Sequence, residues 1–193
     1  EKCNDDLKKS LKLFIKSVKI AESIKRPTSD TLQQLATTYQ LLGYNYNKLA
    51  DIKNGIKFLE KGLRIEEKNF YKKNYKSIAR TYNVLGFWYL NIYEYKKAEK
   101  YQKKYLEYVK KNKGEFSKEY YNAYTGLALD YRSAGEYDYS LNVYLEIKKK
   151  LSNFDIKVLE KILFYRNLSI SYGNKENLNL QKENILIALD ILN

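Results

Sequence analysis

Apolar residues recur along this chain at helical spacing, and the helices themselves recur. Tyr39, Leu42, Gly43 and Tyr46 stand at i, i+3, i+4 and i+7, one face of an α-helix. The set returns as Tyr82, Leu85, Gly86 and Tyr89, then as Tyr124, Leu127, Ala128 and Tyr131, then as Tyr165, Leu168, Ser169 and Tyr172. Successive copies lie 43, 42 and 41 residues apart. Nine residues past the second tyrosine of each copy come Gly55, Ala98, Ser140 and Gln181. Self-similarity at a near-constant period is the signature of a repeat architecture.

Each unit reads as two helices joined by a tight turn. The stripe Tyr101, Tyr105 and Tyr108, beginning after Ala98, shows that the second helix shares the period. Asn47-Lys48, Asn91 to Glu94, Ala134-Gly135-Glu136 and Gly173-Asn174 are the expected turns. Small residues on both helices allow axes to approach to roughly 8–10 Å. A helical glycine costs about 1 kcal/mol in propensity, so Gly43 and Gly86 at equivalent sites point to a packing purpose. Leu7, Leu11, Phe14, Val18 and Ala21 predict one more amphipathic helix, with Ser10 at its small-residue site. Arg26 to Asp30 then breaks the chain and caps the next helix. The expectation is an all-α, right-handed α-solenoid over residues 1–193: a lone helix, then four helix pairs in a single domain. The last helix, expected from Asn177 to Leu192, is apolar on more than one side. It predicts either a further helix beyond it or a second molecule covering it, which would make a homo-oligomer.

The order aromatic, Leu-Gly, Tyr, then a small residue nine later, resembles the tetratricopeptide repeat (TPR). Thr81 to Tyr101, "TYNVLGFWYLNIYEYKKAEKY", carries the resemblance best; "TYQLLGYNYN" and "AYTGLALDYRSAGEYDYSL" follow, and "FYRNLSISYGNKENL" is weaker. The period near 42 exceeds the commonest form's 34. It is similar to the longer-helix repeats of kinesin light chains and bacterial peptide-sensing regulators. The resemblance covers about residues 28–193 and implies a concave groove lined by the first helix of each pair. It implies groove positions two before, one after and five after each first tyrosine. In this chain they are Thr37, Gln40 and Tyr44; Arg80, Asn83 and Phe87; Asn122, Thr125 and Leu129; Leu163, Arg166 and Ile170.

Charge is distributed unevenly around these positions. The chain is 31% charged with a net charge of +13, yet no residue from Thr31 through Asn47 is charged, and Arg80 is the one charge from Ala79 through Ile92. Lysines crowd the second helices instead, as at Lys96, Lys97, Lys100, Lys103, Lys104, Lys110, Lys111 and Lys113. A nucleic-acid groove would line its phosphate path with Lys and Arg, so nucleic acid and acidic membrane surfaces rank below a peptide as partners. Asn and Gln offer both a donor and an acceptor to a peptide backbone, and Tyr44 and Phe87 offer apolar area for anchor side chains. The expected binding set is Thr37, Gln40, Tyr44, Arg80, Asn83, Phe87, Asn122, Thr125 and Arg166. Gln40, Tyr44 and Asn83 stand where the carboxylate clamp of chaperone-binding members needs Lys or Arg.

Catalysis finds no foothold in the pattern. Histidine is absent and Cys3 is the one cysteine, so neither the usual acid–base nor a metal ligand set is expected, and no cofactor. Asp5-Asp6 and Glu66-Glu67 are adjacent carboxylates that point about 100° apart on a helix, read as solvated. No apolar run is long enough to span a membrane. The first residues are polar and the chain contains no methionine, so upstream residues are expected. A cytoplasmic location is expected, with an exported or lipid-modified form left open. The expected function is a non-catalytic protein- or peptide-binding scaffold. The alternative is a sensor domain in which a peptide controls an effector domain outside this sequence.

Overall fold

The computed structural model describes residues 2–192, with side chains from Asp6 onward; the side chains of Cys3 and Asp5 lie outside the described residues. The described residues form nine α-helices: α1 (Lys2–Glu22), α2 (Ser29–Lys48), α3 (Ile52–Asn69), α4 (Tyr75–Asn91), α5 (Tyr95–Lys113), α6 (Lys118–Ser133), α7 (Tyr137–Lys150), α8 (Val158–Gly173) and α9 (Leu178–Leu192). They divide into two compact units, the first ending at Tyr101 and the second beginning at Gln102.

In the first unit α1 lays Leu11 and Val18 against Leu35, Tyr39 and Leu42 of α2, as its apolar spacing predicts. The break before α2 is capped by Thr28, whose hydroxyl accepts from the Thr31 N–H at 3.2 Å. Helices α2 and α3 meet through small residues. Leu59 is fully buried at this contact, and Tyr46 stacks on Phe58 with centroids 5.3 Å apart. Farther along, Tyr89 stacks on Tyr101 at 5.6 Å, and both hydroxyls donate to Glu60 at 2.8 Å. Tyr39, Tyr82, Tyr89 and Tyr124 of the repeat register are thus packing groups whose hydroxyls donate to carboxylates, as phenols in a packed setting require.

The second unit is built on Tyr144, Ile147, Leu151, Phe154, Phe164 and Leu168. Ser140, at the small-residue position, is fully buried and donates to the Ala128 carbonyl at 2.7 Å, so the α6–α7 contact contains a direct side-chain-to-backbone bond. In α9 the residues Leu178, Ile185, Leu186, Leu189 and Leu192 stand exposed.

The turns correct one expectation and add a regularity. Helix α2 runs through Lys48, so the first turn is Leu49 to Asp51 and not Asn47-Lys48. Leu49 still bonds back to the Asn45 and Tyr46 carbonyls, and Asp51 caps α3 by accepting from Asn54. The last turn likewise lies beyond Gly173, which remains helical. In every pair the chain reverses through a left-handed residue: Ala50 (φ 61°), Tyr93 (φ 63°), Gly135 (φ 80°) and Glu176 (φ 57°). These also recur at separations of 43, 42 and 41 residues.

Candidate functional site

Helices α2 and α4 carry the expected binding residues of the first unit. On α2, Leu35, Ala36, Tyr39, Leu42 and Gly43 are buried, which leaves Thr37 exposed and Gln40 and Tyr44 half-buried. On α4, Arg80 and Phe87 are exposed and Asn83 is half-buried. The Tyr44 ring meets Trp88 edge-on at 5.9 Å. Burial pushes its hydroxyl above the usual phenol range; the Arg80 charge pulls it back and Glu66 adds to the rise. Arg80, Tyr44 and Glu66 thus share one electrostatic neighbourhood.

Gln40 is committed inside the protein. Its amide nitrogen donates to Glu66 at 2.8 Å and to the Ser77 hydroxyl at 3.1 Å. Thr37 donates its hydroxyl to the Gln33 carbonyl at 3.0 Å. Gln40 and Thr37 line an open cleft of about 500 Å³ between α2, the end of α3 and the start of α4. Glu66 and Asn74 complete its inner wall, with Lys73 and Lys76 at exposed positions. Asn83 carries no side-chain hydrogen bond to any described residue, so its donors and acceptor are free.

Glu66 was missed by reading Glu66-Glu67 as a solvated pair. It is 2% exposed, and the neighbouring Glu67 is half-buried and accepts from the Tyr82 hydroxyl. The repeat register carried the signal. Eleven residues past the small sites Gly55, Ala98 and Ser140 stand Glu66, Val109 and Leu151. A carboxylate therefore occupies a position that is apolar in the next two units. Burial raises the Glu66 carboxyl above its ordinary range, against the pull of hydrogen bonds from Ser77, Asn74 and Gln40.

The remaining expected residues belong to the second unit. Asn122 is exposed on α6, Thr125 is half-buried with its hydroxyl donating to the Tyr121 carbonyl at 3.0 Å, and Arg166 is exposed on α8. The α5 lysines face solvent, Lys104 excepted, which is half-buried. Several pair with neighbouring carboxylates, as Lys97 with Glu94 at 3.4 Å and Lys110 with Glu115 at 2.8 Å. Among the described residues no group of three or more His, Cys, Asp or Glu is placed to hold a metal, and no helix is long and apolar enough to cross a membrane.

Solved structures with this arrangement of helix pairs decide the fold class. A Podosopora anserina chain assigned as a kinesin light chain, with nearly identical TPR-like repeats, superposes with a TM-score of 0.71 at 13% identity, covering 98% of this chain and 88% of the other. BtubC (BKLC) from P. vanneervenii gives a TM-score of 0.67 at 21% identity over 96% of this chain and 73% of the other. The fold is that of TPR-like repeats. MamA shares it with a TM-score of 0.59 at 18% identity, over 98% of this chain and 91% of that one. No family model and no curated protein sequence matches this TPR-like chain.

Proposed function

We propose that this chain is a non-catalytic binding scaffold that grips a peptide or protein segment along the exposed faces of α2 and α4, and that residues 1–193 act as one domain. The observation that carries the reading is the amide of Asn83, half-buried on α4 one turn from Phe87 and without a side-chain hydrogen bond among the described residues. A side chain with a donor and an acceptor, no internal partner and apolar neighbours is suited to hold an extended backbone. The fold alone fixes no ligand, so the argument rests on this face. Asn122, also without a side-chain partner among the described residues, supplies a second such amide. The lysines of α5 serve solubility and are not the site.

Peptide-array capture with the purified chain tests this. Peptides retained by the wild type should be lost by a Tyr44→Ala, Phe87→Ala variant that remains folded. Equal retention by both proteins would move the site off these helix faces. A sensor role follows the same binding event: a captured peptide would then alter the activity of an effector, whereas a scaffold would show capture without such a change.

A further inference from the structure

The cleft beside α2 contains a carboxylate with no ion-pair partner among the described residues. Glu66 is 2% exposed, and its carboxylate is held by neutral donors alone: the Gln40 amide at 2.8 Å, the Asn74 amide at 3.4 Å, and the Ser77 hydroxyl. No lysine or arginine among the described residues forms an ion pair with it. Asn74 begins α4 yet does not cap it; its amide instead joins Glu66 to the Gln33 side-chain oxygen at 2.9 Å. A buried carboxylate without a counter-charge is costly unless something else compensates it.

The register shows that the network is particular to this junction. Eight residues before Tyr82 and Tyr124 stand Asn74 and Phe116, and Glu66 corresponds to Val109 and Leu151. At the Glu66 position packing in the later units uses apolar residues, whereas the Asn74 position is filled by Phe116 and then by Lys157. The buried carboxylate at the first junction therefore answers a need other than packing, and it opens onto a cleft of about 500 Å³.

We propose that this cleft is a cation subsite that receives the ammonium or guanidinium group of a basic side chain in the bound peptide, with Glu66 as its counter-charge. The cleft has acceptors to spare. The Gln33 side-chain oxygen accepts one bond and has room for another, and the Thr37 hydroxyl, whose hydrogen is turned to Gln33, offers its lone pairs. An anion would set like charge against Glu66, and an apolar group would leave the carboxylate uncompensated. Lys73 and Lys76 do not fill the role: Lys76 lies over the Tyr75 ring at 6.0 Å, and neither reaches Glu66. The proposal rests on the peptide-binding reading for its natural ligand, but not for its chemistry, which a small cation can probe.

The test titrates n-butylammonium chloride and methylguanidinium chloride into the ¹⁵N-labelled intact chain, with n-butanol and sodium chloride as controls. The side-chain amide resonances of Gln40 and Asn74 are the readout. Saturable shifts with either organic cation, absent with both controls and at least tenfold weaker in Glu66→Gln, are expected. Shifts equal for cation and butanol, or unchanged in Glu66→Gln, overturn the subsite. If Glu66→Gln unfolds, the comparison of cation with butanol on the wild type still decides. In parallel, array peptides that bind are remade with norleucine for Lys and citrulline for Arg. A tenfold loss on replacement supports the subsite; binding that survives every replacement overturns it while leaving the peptide-binding reading intact. Small-cation binding with no captured peptide fails that reading and leaves the subsite standing.

Discussion

Gly43 of α2 and Gly55 of α3 face each other so closely that a Cβ on Gly43 would lie 2.9 Å from the Gly55 carbonyl oxygen, and a Cβ on Gly55 would lie 3.0 Å from that of Gly43. The two carbonyls are backbone atoms in helices and cannot move aside alone. Trp88 closes the contact, 3.0 Å from the Gly55 Cβ position. The first helix pair is thus set by mutual absence of side chains.

Gly43→Ala should therefore destabilise the chain despite alanine's better helix propensity. Overpacking costs about 1–3 kcal/mol, against about 1 kcal/mol of propensity gained. A lowered midpoint in thermal or urea unfolding is the expected result. Gly126→Ala is the control, because a Cβ there meets nothing within 4 Å, and it should be neutral or stabilising.

The left-handed turn residues give a prediction of opposite sign. Non-glycine residues in this conformation bear a strain of about 1–2 kcal/mol. Ala50→Gly should relieve more than the roughly 0.5–1 kcal/mol that glycine's added freedom in the unfolded chain costs. A small rise in the unfolding midpoint is expected, while Gly135→Ala should lower it. Identical midpoints for all three proteins would contradict the φ values at these turns.

How far the chain could be read beforehand follows from which interactions repeat. The nine helices and the small-residue contacts were legible because Tyr, Leu and Gly recur at fixed offsets and each offset has one packing role. The first turn was misplaced because asparagine and lysine look like turn residues, whereas the position that must turn left is filled by Ala50, Tyr93 and Glu176 and is glycine only at Gly135. Glu66 was misread because adjacent carboxylates usually face water; the comparison with Val109 and Leu151 was available in the register. Gln40 looked free because its partners, Glu66 and Ser77, lie on two other helices.

Tyr144 offers a test of buried polarity. It is fully buried on α7, and its hydroxyl has no hydrogen-bond partner among the described residues. An unpaired buried hydroxyl costs about 1–3 kcal/mol. Tyr144→Phe keeps the ring packing on Phe164 and removes that cost, so the midpoint should rise or hold. A loss of more than about 1 kcal/mol in denaturant unfolding would mean that the hydroxyl makes a bond absent from this structure.

Asp130 carries a pH signature. Burial pushes its carboxyl up to about 6, although the Gln102 amide, donating at 3.3 Å, opposes the shift. An unfolded aspartate titrates near 3.9. Between about pH 4 and 6 the folded chain therefore binds more protons, so this group's contribution destabilises as pH rises through that window and disappears as a penalty when pH falls. The Gln102 side-chain oxygen, buried without a partner, could accept from a protonated Asp130. Asp130→Asn should be more stable than wild type at pH 7 by about 1 kcal/mol, or roughly 2–4 °C in midpoint. That advantage should vanish by pH 4. A constant difference between the two proteins across this range would reject the assignment.

The last prediction separates residues that hold the protein from those that hold its ligand. Gln40 donates to a buried carboxylate, so Gln40→Ala uncovers Glu66 and should lower the unfolding free energy by about 1–3 kcal/mol. Asn83 and Asn122 have no side-chain partner among the described residues, so Asn83→Ala with Asn122→Ala should leave the midpoint nearly unchanged. If these amides bond a peptide backbone, the loss of either should weaken the peptide it holds by about fivefold to 150-fold, roughly 1–3 kcal/mol for the partner left unpaired. The affinity for a peptide without charged residues should change little between low and physiological salt. Titrating wild type and double variant with that peptide at both salt concentrations checks both expectations. Equal affinity for the two proteins, or a steep loss with salt for the wild type, would relocate binding to the lysine-rich face of α5.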